Sequence, residues 1–315
     1  MDGSSPSELP HRYGVYGVLV ASGLELAELD TVTRAGAPER PVVRLELADP
    51  AAEGGRGAAR PRGRLDCADG PVEVLDEETG GLLLVSQRHG VCRVSADGSA
   101  VTCAPEDPSR PAWRRHLLDT VLGSAALRRG MTGLHAAAVT IDGRALAITA
   151  PTGGGKSTLA AELLRRGAEL LTDDLLFVAA GPAGVEAHAG PPFISLAGAE
   201  TPPRAIGETV AVIGDRRWIR VRRRPPRPSP LSLVVALERD GRGSGAELEA
   251  ATPDRLLSCA LDPGRARGRL LERFDVLSSL GRAVPVLRLR VGARTSPARA
   301  AALLESHLGV AAHVG

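Results

Sequence analysis

ITAPTGGGKSTLAAELLRRG, residues 148–167, decides how the rest of the chain is read. It holds Lys156, the only lysine among 39 lysines and arginines. From Ala150 through Gly155, Lys156 and Ser157 it fits [A/G]-x-x-x-x-G-K-[S/T], the spacing of a phosphate-binding P-loop. The backbone N–H groups of such a loop cradle the α- and β-phosphates, the lysine reaches the β- and γ-phosphates, and the serine hydroxyl ligates Mg²⁺. Gly153, Gly154 and Gly155 let the backbone approach a phosphate with no Cβ in the way. A compact ammonium fits inside the loop where a wide guanidinium fork does not, which explains why arginine has not replaced lysine here. The apolar run Ala145–Ile148 predicts a strand before the loop. Leu159, Leu163 and Leu164 predict an amphipathic helix after it, stopped by Arg165-Arg166-Gly167. The dipole of that helix favours an anion at its start. The expected nucleotide-binding positions are Thr152, Gly153, Gly154, Gly155, Lys156, Ser157 and Thr158, with ATP and Mg²⁺ as ligands.

Upstream lies GLHAAAVTIDGRALAITAP, residues 133–151. Asp142-Gly143 between two apolar runs is a strong hairpin signal. In a two-residue hairpin Ile141 pairs with Arg144, so paired positions sum to 285, and His135 falls opposite Ala150. One imidazole is thereby expected beside the phosphates. Downstream, AELLTDDLLFVA (168–179) ends an apolar run in Asp173-Asp174. The carboxyl end of a strand next to the P-loop strand is where open α/β sheets bind ligands. Two carboxylates there can divide the work, one completing the Mg²⁺ shell with Ser157 and one accepting the proton of an attacking hydroxyl. Adjacent residues point in different directions, so one of the two is expected to reach the metal.

The bulk numbers bound the answer. A chain of 315 residues can bury a large core and predicts two domains. A net charge of +2 and 43% hydrophobic residues describe an ordinary globular protein. Only 2% aromatics argues against single-strand nucleic-acid binding, which stacks bases on rings. Cys67, Cys92, Cys103 and Cys259 form no C-x-x-C pair and are read as free thiols, with a Cys92–Cys103 pairing across neighbouring strands as the alternative. No run of 18 apolar residues and no signal-peptide pattern is present, so no membrane partner is expected and the expected compartment is the cytoplasm.

Along the chain, residues 1–9 read as a loose tail. Residues 10–108 read as a β-rich module, with short apolar runs at Val15–Val20, Val42–Leu47, Val72–Leu75, Leu82–Ser86, Val91–Val94 and Ala100–Cys103. Pro50–Arg64, rich in Gly, Ala and Arg, is expected to be a mobile loop. Residues 109–315 read as an α/β domain. Residues 112–129 are expected to be helical, Ser229–Leu237 and Val286–Val291 to be strands, 252–262 and 265–281 to be helices, and Ser296-Pro297 to open a last helix. The basic run Arg216–Arg224 reads as a solvated strand face, or else as an anion- or substrate-docking patch beside the nucleotide.

Together these pieces resemble the kinase domain of the HPr kinase/phosphorylase family, which has a His before a hairpin, a P-loop, a helix and an Asp-Asp pair. Here His135 precedes Lys156 by 21 residues and Asp173 follows it by 17, both as in that family, and RRGAELLTDD resembles its RG-H-x-L-x-x-DD. The layout, with YGVYGVLVASGLELAEL early and LHAAAV later, is closer still to HPr-kinase-like proteins that tailor ribosomally made peptides, lasso-peptide kinases among them. The resemblance implies a P-loop α/β fold of the HPr kinase and PEP carboxykinase type, preceded by a smaller β-rich module. By it, Lys156 and Ser157 bind phosphate and Mg²⁺, Asp173 is the base for the substrate hydroxyl, Asp174 is a metal ligand, and His135 contacts phosphate or the substrate serine. The sequence departs from the family at Ala150, at Ala136 and in SLAGAETPPRAIGE, where the signature of the phosphorolytic reaction is missing. The expected activity is an ATP- and Mg²⁺-dependent serine kinase acting on a peptide or small protein, with homo-oligomerisation possible by the resemblance. A small-molecule kinase and a non-catalytic nucleotide switch are the alternatives.

Overall fold

The computed structural model describes residues 9–30, 40–50, 59–67, 70–181, 184–198, 206–222, 228–241, 243–261, 277–278 and 280–309. The chain is mixed α/β and divides into two compact units, Met1–Met131 and Thr132–Gly315. The sequence reading draws its break at 108–109, ahead of the helical segment that the first unit contains.

The first unit is one eight-stranded sheet. Its strands are β1 (His11–Val15), β2 (Val18–Ser22), β3 (Val42–Leu47), β4 (Arg60–Cys67), β5 (Gly70–Asp76), β6 (Leu82–Ser86), β7 (Gly90–Val94) and β8 (Ala100–Ala104), in the spatial order β1-β2-β3-β8-β7-β6-β5-β4. Two expectations change here. Val15–Val20 is not one strand, because the chain turns at Tyr16 and Gly17 with φ of 54° and 81°. The segment expected to be a loop up to Arg64 is strand from Arg60 on, paired with β5 through a bulge between Pro61 and Gly63 that absorbs the proline's missing donor. The rest of that loop and most of the tail lie outside the described residues. Cys92 and Cys103 are direct partners across β7 and β8, and both are free, buried thiols.

A helical segment closes this unit: α1 (Pro111–His116), a π-helical turn (Leu117–Val121) and α2 (Leu122–Arg128). Pro111 sits at the first helical position, where its missing N–H costs nothing. Trp113, Leu117, Leu118, Val121 and Leu122 are all buried, as their spacing predicts. The wider turn shows where the Leu122 N–H donates to the Leu117 carbonyl.

The second unit contains β9 (Thr132–Ile141), β10 (Arg144–Thr149), β11 (Glu169–Thr172), β12 (Leu175–Gly181), β13 (Gly184–His188), β14 (Phe193–Ala197), β15 (Gly207–Ile213), β16 (Arg216–Val221), β17 (Ser229–Asp240), β18 (Ala246–Ala250) and β19 (Val286–Gly292). Its main sheet runs β10-β9-β12-β13-β17-β19-β18, with β10 also parallel to β17 and β11 pairing with β9. β9 and β10 form the expected hairpin in the expected register, from Ile141↔Arg144 to Ala136↔Thr149. The tip takes φ of 50° at Asp142 and 74° at Gly143, as a two-residue turn of that type needs. β14, β16 and β15 make a separate three-stranded sheet.

Helices of this unit include α3 (Lys156–Arg165), α4 (Arg255–Cys259) and α5 (Pro297–His307), the last capped by Ser296 as expected, and residues 277–278 and 280–283 are helical too. The helix expected over 252–262 is therefore shorter, because Ala260 is extended and bridged to Leu134. The one expected over 265–281 falls mostly outside the described residues. Leu159, Leu163 and Leu164 of α3 are buried in one cluster with Ile148 of β10, Ile194, Leu196, Ile219 and Val221 of the small sheet, and Leu304 of α5. Truncating Leu163 to alanine in such a core costs about 2–5 kcal/mol. That core fixes both the start of α3 and the small sheet against β10.

Candidate functional site

β10 delivers the chain to the loop at Ala150 and α3 leaves it at Lys156. The N-cap is Gly155, in the left-handed region at φ 99°, a conformation that needs glycine. At Gly154 a Cβ would come within 2.8 Å of the Ala150 side chain. The loop therefore tolerates no side chain where it bends. The first intrahelical bond to close is the Leu159 N–H donating to the Gly155 carbonyl at 2.9 Å. The preceding amides are the orphan donors of a helix start. Thr152, Gly153 and Thr158 are exposed around the loop, whereas Lys156 and Ser157 are buried beneath it. The Arg239 side chain, at the end of β17, lies over this bend, its Nε donating to the Gly154 carbonyl at 3.4 Å.

Lys156 Nζ lies 2.9 Å from His135 Nε2 and donates to the Ala150 carbonyl at 3.2 Å. Burial lowers the lysine's pKa; the charges of Asp174 and Asp173 oppose that shift, and Arg216 adds to it. Burial, then the Lys156 charge, lowers the pKa of His135 as well, against the Asp174 charge and a bond to the Asp174 backbone. A neutral imidazole follows, its Nε2 accepting from the ammonium while Nδ1–H faces the Asp174 backbone. Leu175↔His135 is a pair in the β12–β9 ladder, so the same strand position sets the ring beside both groups.

Asp173 and Asp174 directly follow β11. Asp173 is buried. Its Oδ1 accepts from the Ser157 hydroxyl at 2.8 Å and its Oδ2 from the Ser195 N–H at 2.9 Å. Asp174 takes φ 67°, unusual for a residue with a Cβ. Its carbonyl accepts from Ala136 N–H at 3.0 Å, and Leu175 N–H reaches back to the Asp173 carbonyl at 2.9 Å. The two acidic residues thus sit on a tight, strained turn, and the charges of both act on Lys156. Cys259 also lies near Lys156, but burial pushes its thiol up to about 11, which keeps it neutral.

The structure brings together Lys156 with His135, and Ser157 with Asp173, with Asp174 beside His135. Sequence reasoning missed Ser195, Arg216's contact with it, and Arg239. The only signal was the basic run beginning at Arg216; its last two residues lie outside the described set. Among the described residues no group of three His, Cys, Asp or Glu side chains is placed to hold a metal. Mg²⁺ needs no such cage, because it commonly uses one or two protein ligands plus substrate phosphates. A serine hydroxyl and a carboxylate already hydrogen-bonded to each other fit that requirement. No helix among the described residues is long and apolar enough to cross a membrane.

No protein-family model matches the chain, and no curated protein matches it. Among solved structures, the HPr(Ser) kinase/phosphatase from Coxiella burnetii aligns with 56% of this chain and 93% of its own, at 16% identity and a TM-score of 0.30. A TM-score that low establishes neither shared fold nor shared function.

Proposed function

We propose that the second unit is an ATP- and Mg²⁺-dependent kinase that phosphorylates a serine hydroxyl of a peptide or small protein. One observation carries this reading: a glycine-lined loop opening a helix has a buried lysine, an imidazole and the charges of two adjacent carboxylates gathered at its mouth. A site that only binds nucleotide needs one carboxylate at the metal; the second is accounted for by proton transfer.

The loop amides and Lys156 bind the β- and γ-phosphates. His135 and the Ala150 carbonyl both accept from Lys156 and so fix the ammonium at the loop. Ser157 and Asp173 would hold Mg²⁺, which when bound neutralises charge on the β- and γ-oxygens. The two hydrogen bonds on Asp173 give reason to exchange the roles assigned from the resemblance. Asp173 is fixed on the metal side through Ser157, and Asp174, whose charge acts on both His135 and Lys156, takes the proton. The acceptor oxygen then forms its bond to the γ-phosphorus as the bond to the β-phosphate bridge oxygen breaks. Asp174 gains the proton and ADP leaves. Positioning and fixed charge supply most of the rate in such a transfer. The test is incubation with ATP labelled at the γ-phosphate and serine-containing peptides, read by mass spectrometry. Transfer to peptide serine is expected; ATP binding without transfer to any hydroxyl would leave only a nucleotide-binding protein.

A further inference from the structure

Asp173 is held by a residue outside the loop. Ser195, in β14, donates its backbone N–H to Asp173 Oδ2 at 2.9 Å. Ser195 is in turn gripped by Arg216, the first residue of β16, whose Nε donates to the Ser195 hydroxyl at 2.9 Å and whose Nη2 donates to the Ser195 carbonyl. Ser195 is buried. The contact is a fork on one residue: two donors of a rigid plane, two acceptors of one strand position. β14 pairs only with β16, so the Ser195 N–H belongs to the open side of that strand and is free for Asp173.

Arg216 differs from the arginines at the other side of this unit. Arg255, Arg288 and Arg290 lie against Glu238, Asp240 and Glu249. Arg216 spends its hydrogen bonds on neutral groups, and its charge is felt at Lys156. A solvated strand face needs neither feature.

Resting on the kinase reading above, we propose that Arg216 and Ser195 are positioning residues of the phosphate site. Through them the three-stranded sheet locks the Asp173 carboxylate onto Ser157 and presets the pair for Mg²⁺·ATP. Partners of this kind, one bond removed from a metal ligand, orient it, and losing them lowers affinity or activity about 10–100-fold.

Ser195→Pro removes the N–H that Ser195 gives to Asp173 while leaving the β16 ladder on the other side; an open strand side tolerates proline, and Ile194 is extended, as the residue before proline must be. Ser195→Ala keeps the N–H and loses only one acceptor for Arg216. Binding of a fluorescent ATP analogue is titrated with Mg²⁺ for the wild type, Ser195→Pro, Arg216→Met and Ser195→Ala, with thermal melting alongside. Ser195→Pro and Arg216→Met are expected to need about 10–100-fold more Mg²⁺ for half-maximal binding, and binding without Mg²⁺ stays close to wild type. Ser195→Ala is expected to shift the Mg²⁺ requirement less than either, because the N–H to Asp173 and the Arg216 bond to the Ser195 carbonyl both remain. Lower melting temperatures with an unchanged Mg²⁺ requirement would make the contact a structural pin and overturn the proposal. If either variant fails to fold, Arg216→Lys, which keeps a cation without the fork, is expected to show the same Mg²⁺ shift at smaller size. A wild-type protein that binds no ATP overturns the kinase reading itself, a result distinct from wild-type binding that the variants leave unaltered.

Discussion

Each unit of this protein presses a histidine against another basic group, and the two arrangements have opposite logic. In the first unit His116 stacks on His89, ring centroids 4.7 Å apart. It is buried, and among the described residues neither of its ring nitrogens has a hydrogen-bond partner. In the second unit His135 meets Lys156, and both of its ring nitrogens face a partner at the edge of a glycine loop. A buried polar group left unsatisfied costs about 1–3 kcal/mol, so His116 is a burden on its own core. His135 sits in a satisfied network that converges on one small volume. The difference separates packing from chemistry better than a lowered pKa does, since both rings have one.

The largest effects that would break this contrast lie in the second unit. Asp174→Asn is expected to lower phosphoryl transfer about 10²–10⁴-fold, the range for losing a general base, with ATP affinity within about threefold. Asp173→Asn is expected to weaken Mg²⁺-dependent ATP binding together with turnover. Steady-state kinetics and equilibrium binding on both variants check the split. The reverse pattern, with Asp173→Asn losing turnover alone, restores the roles that the resemblance assigned. Next in size, Lys156→Ala removes the buried cation and is expected to cost about 10²-fold in both affinity and turnover, typical of losing one preorganised charge contact. Lys156→Arg is expected to rescue little, since a planar fork does not fit under the loop.

Much of this was legible before any coordinates. Asp142-Gly143 set the register, the register set His135 against the loop strand, and the glycines with Lys156 and Ser157 set the helix start. All of these are local: a turn type, a two-residue period and a spacing. What could not be read depends on contacts far apart in sequence or on unusual backbone. Asp174's positive φ leaves no mark in the letters. Ser195 lies 22 residues from Asp173, on a strand of a small sheet whose pairing no local pattern specifies. Arg216 looked like any other arginine in a chain that has 38 of them, 39 basic residues less Lys156. The β4 strand was hidden by Gly, Pro and Arg residues that usually mark loops, because its bulge and its partner β5 override local preference.

The first unit carries the smaller effects, and pH exposes them. Burial, with His89 beside it, pushes His116 down to about 3 from an ordinary value of 6.5. Between those values the unfolded chain takes up a proton that the folded ring refuses, so stability is full above about 6.5 and is lost as pH falls. The loss approaches about 1.4 kcal/mol per pH unit. The chain's two tryptophans, Trp113 and Trp218, fall one in each unit, so Trp218→Phe leaves a reporter for the first unit alone. Urea titrations of that variant from pH 7 to pH 4 are expected to show its midpoint falling with pH. The companion variant Trp113→Phe, reporting on the second unit, is expected to fall less, because the shift on His135 is smaller and its ring is satisfied. Equal slopes would erase the contrast.

His116→Phe has the smallest expected effect at neutral pH, and it tests the contrast directly. Phenylalanine keeps a flat ring against His89 and removes the two nitrogens that have no partner. Replacing an unsatisfied polar group by an apolar one of similar shape is close to neutral or mildly stabilising, and the extra ring atom in a tight core opposes part of the gain. The net change at pH 7 is therefore expected to be a gain of about 1 kcal/mol or less, while at pH 5 the gain grows because the variant has no proton to refuse. The corresponding change in the second unit, His135→Phe, is expected to leave the melting temperature nearly unmoved and to lower transfer sharply, since the ammonium of Lys156 keeps only the Ala150 carbonyl and is no longer fixed. If His116→Phe instead destabilises by several kcal/mol at pH 7, its nitrogens have a partner after all, and the first unit's histidine pair is a built feature like the second's.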